Sequence, residues 1–138
     1  MSIFRIEKIG YSRVGVTCPG QPRKVRYFPI VSIIHDEKGA NKSKVFLNKM
    51  VDSKKYYTGW IEGKNYIAGV TSGGYEFFDE EGKLTGTASI ASVGRVMQAN
   101  EDSIICLKGV VIYAVSPEGK VLGCRKLTAE EQALWVSQ

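Results

Sequence analysis

The sequence predicts an all-β protein, an antiparallel β-meander that ends in one short C-terminal helix. Three observations carry that expectation. Turn signals recur at nearly even steps: Glu62-Gly63-Lys64, Asp79-Glu80-Glu81-Gly82-Lys83, Asn100-Glu101-Asp102 and Ser116-Pro117-Glu118-Gly119-Lys120 lie 19, 19 and 18 residues apart, counted from Gly63 to Gly82 to Glu101 to Gly119. Between them fall Ser72-Gly73-Gly74, Ser92-Val93-Gly94 and Lys108-Gly109, so the chain reverses about every ten residues, the spacing of hairpin-linked strands. The third observation is internal similarity: Tyr75 to Gly86 aligns with Ile112 to Gly123 at an offset of 37.

Taken in order, Ile3 to Ile9 and Ser12 to Thr17 alternate apolar and polar residues around Gly10-Tyr11 and read as an opening hairpin. Cys18-Pro19-Gly20-Gln21-Pro22 breaks the pattern. Lys24 to Ile34 is strongly β-prone but contains Pro29, which has no ladder donor and therefore predicts an edge strand or a bulge. His35 to Asn41 is a polar loop. Lys44 to Val51 fits both periods, with Phe46, Leu47, Met50 and Val51 at helical spacing and Val45 and Phe46 favouring strand; strand is the preferred assignment. Tyr56 to Ile61 and Asn65 to Val70 flank Glu62-Gly63-Lys64 as a hairpin. The meander continues through Tyr75 to Phe78, Lys83 to Thr87, Gly94 to Ala99, Ser103 to Leu107, Val110 to Val115 and Lys120 to Leu127.

Ser116-Pro117-Glu118-Gly119 carries the residues of a type I turn whose glycine takes the left-handed position and leads into a bulge. Asp79-Glu80-Glu81-Gly82 repeats it without the proline. At the C-terminus Thr128 and Glu131 form a capping box, from which Leu134 and Trp135 are expected to press one helix against the sheet. The two aligned hairpins share a strand-turn-Gly-Lys-strand pattern that resembles the blade hairpins of several propeller families, over those two segments. A closed propeller takes at least about four blades and this length supplies about three, so an open curved sheet, a sandwich or a barrel with propeller-like hairpins is expected.

Length bounds the organisation to one all-β domain over residues 1–138, large enough to bury a core without staples. Hydrophobic residues at 43% and charged residues at 24% are those of a globular protein, not a disordered one. Glu7 and the alternation of the first residues argue against a secretory signal, and Val110 to Val115 falls far short of the roughly 18 apolar residues of a membrane span. The expectation is a cytoplasmic protein without membrane partners. Cys18, Cys106 and Cys124 are odd in number and widely spaced, as reduced thiols are, and Cys106 sits in the apolar run Ile104 to Leu107 as a core residue.

Chemistry-bearing patterns are few. His35 is the lone histidine, with Asp36 beside it and Cys18 as the one conceivable nucleophile for it; the expectation is a structural histidine and no catalytic residue. The acids at Asp79-Glu80-Glu81 and Glu101-Asp102 coincide with turns and lack the alternate ligand positions of a calcium loop, and no CxxC or phosphate loop occurs, so neither metal nor cofactor is expected.

Charge is uneven. Residues 1–69 carry 13 basic and 5 acidic side chains, and residues 70–138 carry 6 and 9. Within the basic half, Lys54 to Tyr66 interleaves cations and rings; read as strand, Lys55 and Tyr57 share one face and Lys54 and Tyr56 the other. With the usual catalytic constellations missing, what remains is a non-catalytic protein that binds another protein, one with an acidic surface, as an inhibitor, a toxin-immunity-type neutraliser or an adaptor. The contact residues expected are Arg23, Lys24, Arg26, Lys54, Lys55, Tyr56, Tyr57, Trp60 and Lys64, since Tyr, Trp and Arg dominate interface energetics. The alternative is a nucleic-acid-binding module on the same basic half, with rings stacking on bases and lysines neutralising phosphate. Nothing in the sequence fixes the oligomeric state.

Overall fold

Three antiparallel meanders make up the protein. The computed structural model describes residues 3, 5–16, 19–20 and 24–135. The first sheet holds β1 (Arg5–Val16), β2 (Lys24–Ile34) and β3 (Lys42–Phe46). The second holds β4 (Gly59–Glu62), β5 (Tyr66–Val70), β6 (Gly74–Asp79) and β7 (Leu84–Ser89). After a four-residue helix, α1 (Ile90–Val93), the third holds β8 (Arg95–Ala99), β9 (Ile104–Lys108), β10 (Val111–Val115) and β11 (Val121–Lys126), and α2 (Ala129–Trp135) follows. In every sheet the spatial order of strands is their sequence order. No sheet closes into a barrel among the described residues.

The second sheet lies between the other two. Ile67, Phe78 and Tyr57 pack with Val31, Ile33, Val45, Leu47 and Val51 of the first sheet and its continuation in one core. Ile61, Tyr66, Ala68, Tyr75 and Phe77 pack with Val93, Ile104, Cys106 and Val115 in another. Alternation along a strand sends successive side chains to opposite faces, so Phe77 and Phe78 serve different cores, and both are fully buried. Full burial of an aromatic or large aliphatic side chain stabilises by about 1.5–3 kcal/mol, and β5 and β6 collect that on both sides. Their continuous apolar runs are therefore those of a covered sheet, not of a half-solvated one.

The offset of 37 is structural. Gly82 and Gly119 take φ of 88° and 78°, and their amides donate to Asp79 and Ser116 across turns closed by Asp79 N–H to Lys83 O and Ser116 N–H to Lys120 O. Both hairpins then bulge at matching positions, with Phe78 opposite Leu84 and Val115 opposite Val121. Each turn also docks on the last strand of the preceding sheet. Asn48 N–H bonds Gly82 O, and Thr85 Oγ1 donates to Pro117 O at 2.6 Å. Gly86 makes the second contact possible, because a Cβ there would lie 2.2 Å from the Glu118 carbonyl carbon.

Several expectations are corrected. The opening hairpin is one continuous strand: Gly10 sits opposite Ile30 and Tyr11 opposite Pro29 in an unbroken register from Lys8 to Val16, and the irregularity of the strand is a β-bulge between Ile6 and Lys8, away from Gly10-Tyr11. Pro29 lies in β2, the central strand of its sheet, and is tolerated because the neighbouring chain leaves there. Leu47 N–H still bonds Pro29 O, but the Leu47 carbonyl that a donor at Pro29 would have met accepts from Lys49 instead. Of Lys44 to Val51, the part to Phe46 is strand, and Val51 rejoins β2 by an isolated bridge to Tyr27. The strand expected from Tyr56 begins at Gly59. Ser92-Val93-Gly94 lies at the end of helix α1, which Ser89 caps.

In α2 the capping box forms, with Glu131 N–H on Thr128 Oγ1 at 3.2 Å and Thr128 N–H on Glu131 Oε1 at 3.1 Å. Arg125 grips the same carboxylate through two nitrogens at 2.7 and 2.8 Å, and that guanidinium with the Thr128 amide lowers the Glu131 pKa to about 2. The helix is thus held by its first turn, and Leu134 is 65% exposed rather than pressed on the sheet. The side chain of Trp135 is outside the described residues.

Gly86→Ala should destabilise the fold by about 1–3 kcal/mol, the usual cost of overpacking a close backbone contact, whereas Gly73→Ala, with open space around it, should stay within about 0.5 kcal/mol. Urea unfolding of the two variants beside the wild type measures the difference.

Candidate interaction surface on the strap between the first two sheets

Residues 47–58 run from the outer edge of the first sheet to the start of the second, and the basic, aromatic cluster lies on this strap. Val51 fixes its beginning through paired backbone bonds to Tyr27 at 2.9 and 2.8 Å. Ser53 then turns the chain, its Oγ accepting from Lys55 N–H at 3.0 Å and its carbonyl from Tyr56 N–H at 3.2 Å, a local bond that serines favour in turns.

Glu76 anchors the far end. It lies on β6, is only 8% exposed, and accepts from the Tyr56 hydroxyl at 2.5 Å and the Tyr57 hydroxyl at 2.8 Å. Lys49 stands 4.0 Å from the same carboxylate and 5.9 Å from the Tyr56 ring centre. A buried carboxylate is costly unless charge and hydrogen bonds compensate it, and here two hydroxyls and an ammonium do so. Tyr57 is buried over Gly69, where a Cβ would lie 2.4 Å from the ring, and it packs against Trp60 with ring centres 4.5 Å apart.

The expected contact residues separate into groups. Lys54 and Lys55 are exposed on the strap, with the Lys54 ammonium 5.6 Å from the Tyr27 ring centre. Tyr56 is 36% exposed, Trp60 half-buried and Tyr57 buried; Tyr57 is therefore an anchor of the strap and not a ring open to a ligand. Arg26 reaches Asp52 on the strap at 3.1 Å. Lys64 lies in the β4–β5 turn at the opposite end of the second sheet, exposed, with its backbone bonded to Ile3 and Glu101, beside a cleft of about 390 Å³ that His35 also lines. Arg23 and the side chain of Lys24 are outside the described residues, as is Cys18. The strap thus brings together Arg26, Lys54, Lys55 and Tyr56 and excludes Lys64.

Sequence reasoning missed Glu76, Lys49, Tyr27 and Arg13. The signal for Glu76 was a single acid between Tyr75 and Phe77 in an otherwise apolar strand. Arg13 joins the patch because it lies opposite Tyr27 in the β1–β2 ladder, a pairing hidden while β1 was read as a hairpin. Elsewhere, His35 Nε2 lies 2.7 Å from Ser43 Oγ. Cys106 is buried, and burial pushes its thiol up to about 11, which disfavours the reactive thiolate. Among the described residues no three of His, Cys, Asp and Glu converge as metal ligands do, and no helix is long and apolar enough to cross a membrane. Comparison with protein-family models, curated proteins and solved structures found no match.

Tyr56 and Tyr57 on the strap, and Tyr66 in the core between the second and third sheets, resist ionisation. The hydrogen bond to Glu76, with burial, raises Tyr56 to about 12; burial first, then Glu76, raises Tyr57 further; and burial, with the Asp102 charge, raises Tyr66 to about 12. Because the folded-state values lie above the unfolded one, this stabilisation is complete below about pH 10 and is lost as pH rises towards about 12. A tyrosinate absorbance titration should show a late class that ionises together with unfolding, and Tyr56→Phe and Tyr66→Phe should each remove one member. Ionisation of every tyrosine near pH 10 in the folded protein would contradict this.

Proposed function

We propose that the protein is a non-catalytic binding protein that acts by covering a surface of another protein, and that its strap face is the contact. The observation that carries this reading is the fixing of an exposed basic and aromatic surface by a buried anchor. Tyr56 and Tyr57 tie the strap to Glu76, and Arg26 of β2 pairs with Asp52 on it, so the backbone that carries Lys54 and Lys55 is held in place before any partner arrives, which lowers the entropic cost of association. Lys54 over Tyr27, and Arg13 opposite it, extend the same surface towards β1. Its positive charge fits a partner that is acidic where it docks, and charge of this kind steers encounter and sets specificity.

Inhibitor, toxin-immunity-type neutraliser and adaptor are all compatible with such a mode of action, which requires occupancy alone. The same surface is less suited to single-stranded nucleic acid. Base stacking needs open ring faces, and of the three rings considered Tyr57 is buried and Trp60 is half-covered by it.

The test is Lys54→Glu combined with Lys55→Glu. Both side chains are exposed, so the folding free energy should stay within about 0.5 kcal/mol of wild type. Affinity for the protein captured by the wild type from its native cells should fall at least about tenfold, or about 1.4 kcal/mol. Single-stranded oligonucleotides measured at two salt concentrations are the control. Unchanged partner affinity, or tight oligonucleotide binding that weakens in Tyr56→Ala and Trp60→Ala, would overturn the reading.

A further inference from the structure

The geometry points to a head-to-tail association of two copies, in which the β2–β3 turn of each docks on β11 of the other and six sheets close into one ring. Within the chain the same joint occurs twice. A turn with a glycine at its fourth position, Asp79 to Gly82 or Ser116 to Gly119, lies on the last strand of the sheet before it, with a Cβ at Gly82 2.1 Å from Phe46 O and at Gly119 2.3 Å from Thr87 O. The receiving strand β7 makes room with Gly86.

Each half of that joint exists once more without its counterpart among the described residues. The β2–β3 turn contains Asp36-Glu37-Lys38-Gly39, which repeats the residue pattern of Asp79-Glu80-Glu81-Gly82 in a hairpin two residues longer, closed by His35 N–H to Asn41 O; Gly39 has φ 71° and its amide faces Asp36 O at 3.4 Å. Nothing lies within 4 Å of a Cβ built on Gly39. At the other end, Gly123 of β11 stands 37 residues after Gly86, opposite Ala114 as Gly86 is opposite Phe77, and it too has open space where Gly86 has a turn.

The two outer faces suit each other in chemistry. The face of the third sheet turned away from the second presents Ile105, Ile112 and Ala114, all half-buried, with Arg125 opposite Ile112 and paired to Glu131, beside the exposed Glu130 at the start of α2. The outer face of the first sheet presents Ile30 and Phe46, the latter 62% exposed, with Arg5, Lys8 and Lys44 on the same face by register. Three sheets are too few to close a ring, whose usual range is about four to eight. Two copies supply six and three copies supply nine, so a pair is the assembly within that range. A head-to-tail contact that did not close would grow into filaments.

Sedimentation equilibrium of the full chain tests the proposal. Wild type should have twice the chain mass at micromolar concentrations. Gly123→Arg fills the open receiving site and Phe46→Arg puts a charge on the opposing apolar face; each should weaken association at least tenfold while circular dichroism stays unchanged. An equimolar mixture of the two should regain dimer, because one of the two joints then has both faces intact. A symmetric pairing through one face alone gives no such rescue. A monomeric wild type, open polymers, a dimer that survives Gly123→Arg, or a mixture that stays monomeric would each overturn the proposal.

Discussion

Burial of the second sheet on both faces is the constraint on which the other features depend. A strand covered on one side can alternate apolar and polar residues, but β5 and β6 have no solvent side to which a polar residue can point. Tyr66, Tyr75 and Tyr57 meet the same demand by donating their hydroxyls, to Asn100 and Ser103, to Gly94 and to Glu76. The ring fills the core and the oxygen finds an acceptor at its edge. Glu76 is the exception to apolarity, and the strap exists in its observed path because that carboxylate needs partners.

Close backbone approach couples the sheets beyond their apolar faces. At Gly82, Gly86 and Gly119 the gap between one sheet's turn and its neighbour's last strand is smaller than a methyl group needs. Such contacts fix the relative position of neighbouring sheets more sharply than apolar packing, which tolerates sliding. They also make the architecture a repeated unit, with one kind of joint reused, as in solenoid and propeller arrays.

Much of this was legible in the sequence because hairpins announce themselves locally. Gly82 and Gly119 occupy positions that only glycine takes readily, and the offset of 37 between them marked a repeat before any coordinate. The misread parts depended on partners distant in sequence. Gly10-Tyr11 is a turn only if nothing pairs across it, and the long β2 pairs across it. Pro29 is excluded from a central strand only while both neighbours persist. Lys54 to Tyr57 followed strand spacing, yet the hydroxyl ties to Glu76, 19 and 20 residues away, draw the chain into a strap and turn Tyr57 inward.

The strap therefore inherits its rigidity from the core beneath it, and any binding that uses it relies on the second sheet staying formed. Native-state hydrogen exchange tests that dependence most directly. The amides of Ile67 to Val70 and Tyr75 to Phe78 should be the slowest in the protein and should exchange only through global unfolding, with the β1–β2 ladder opening earlier. Slowest exchange in β1 and β2, with β5 and β6 opening before them, would contradict an account in which the doubly covered sheet holds the fold together.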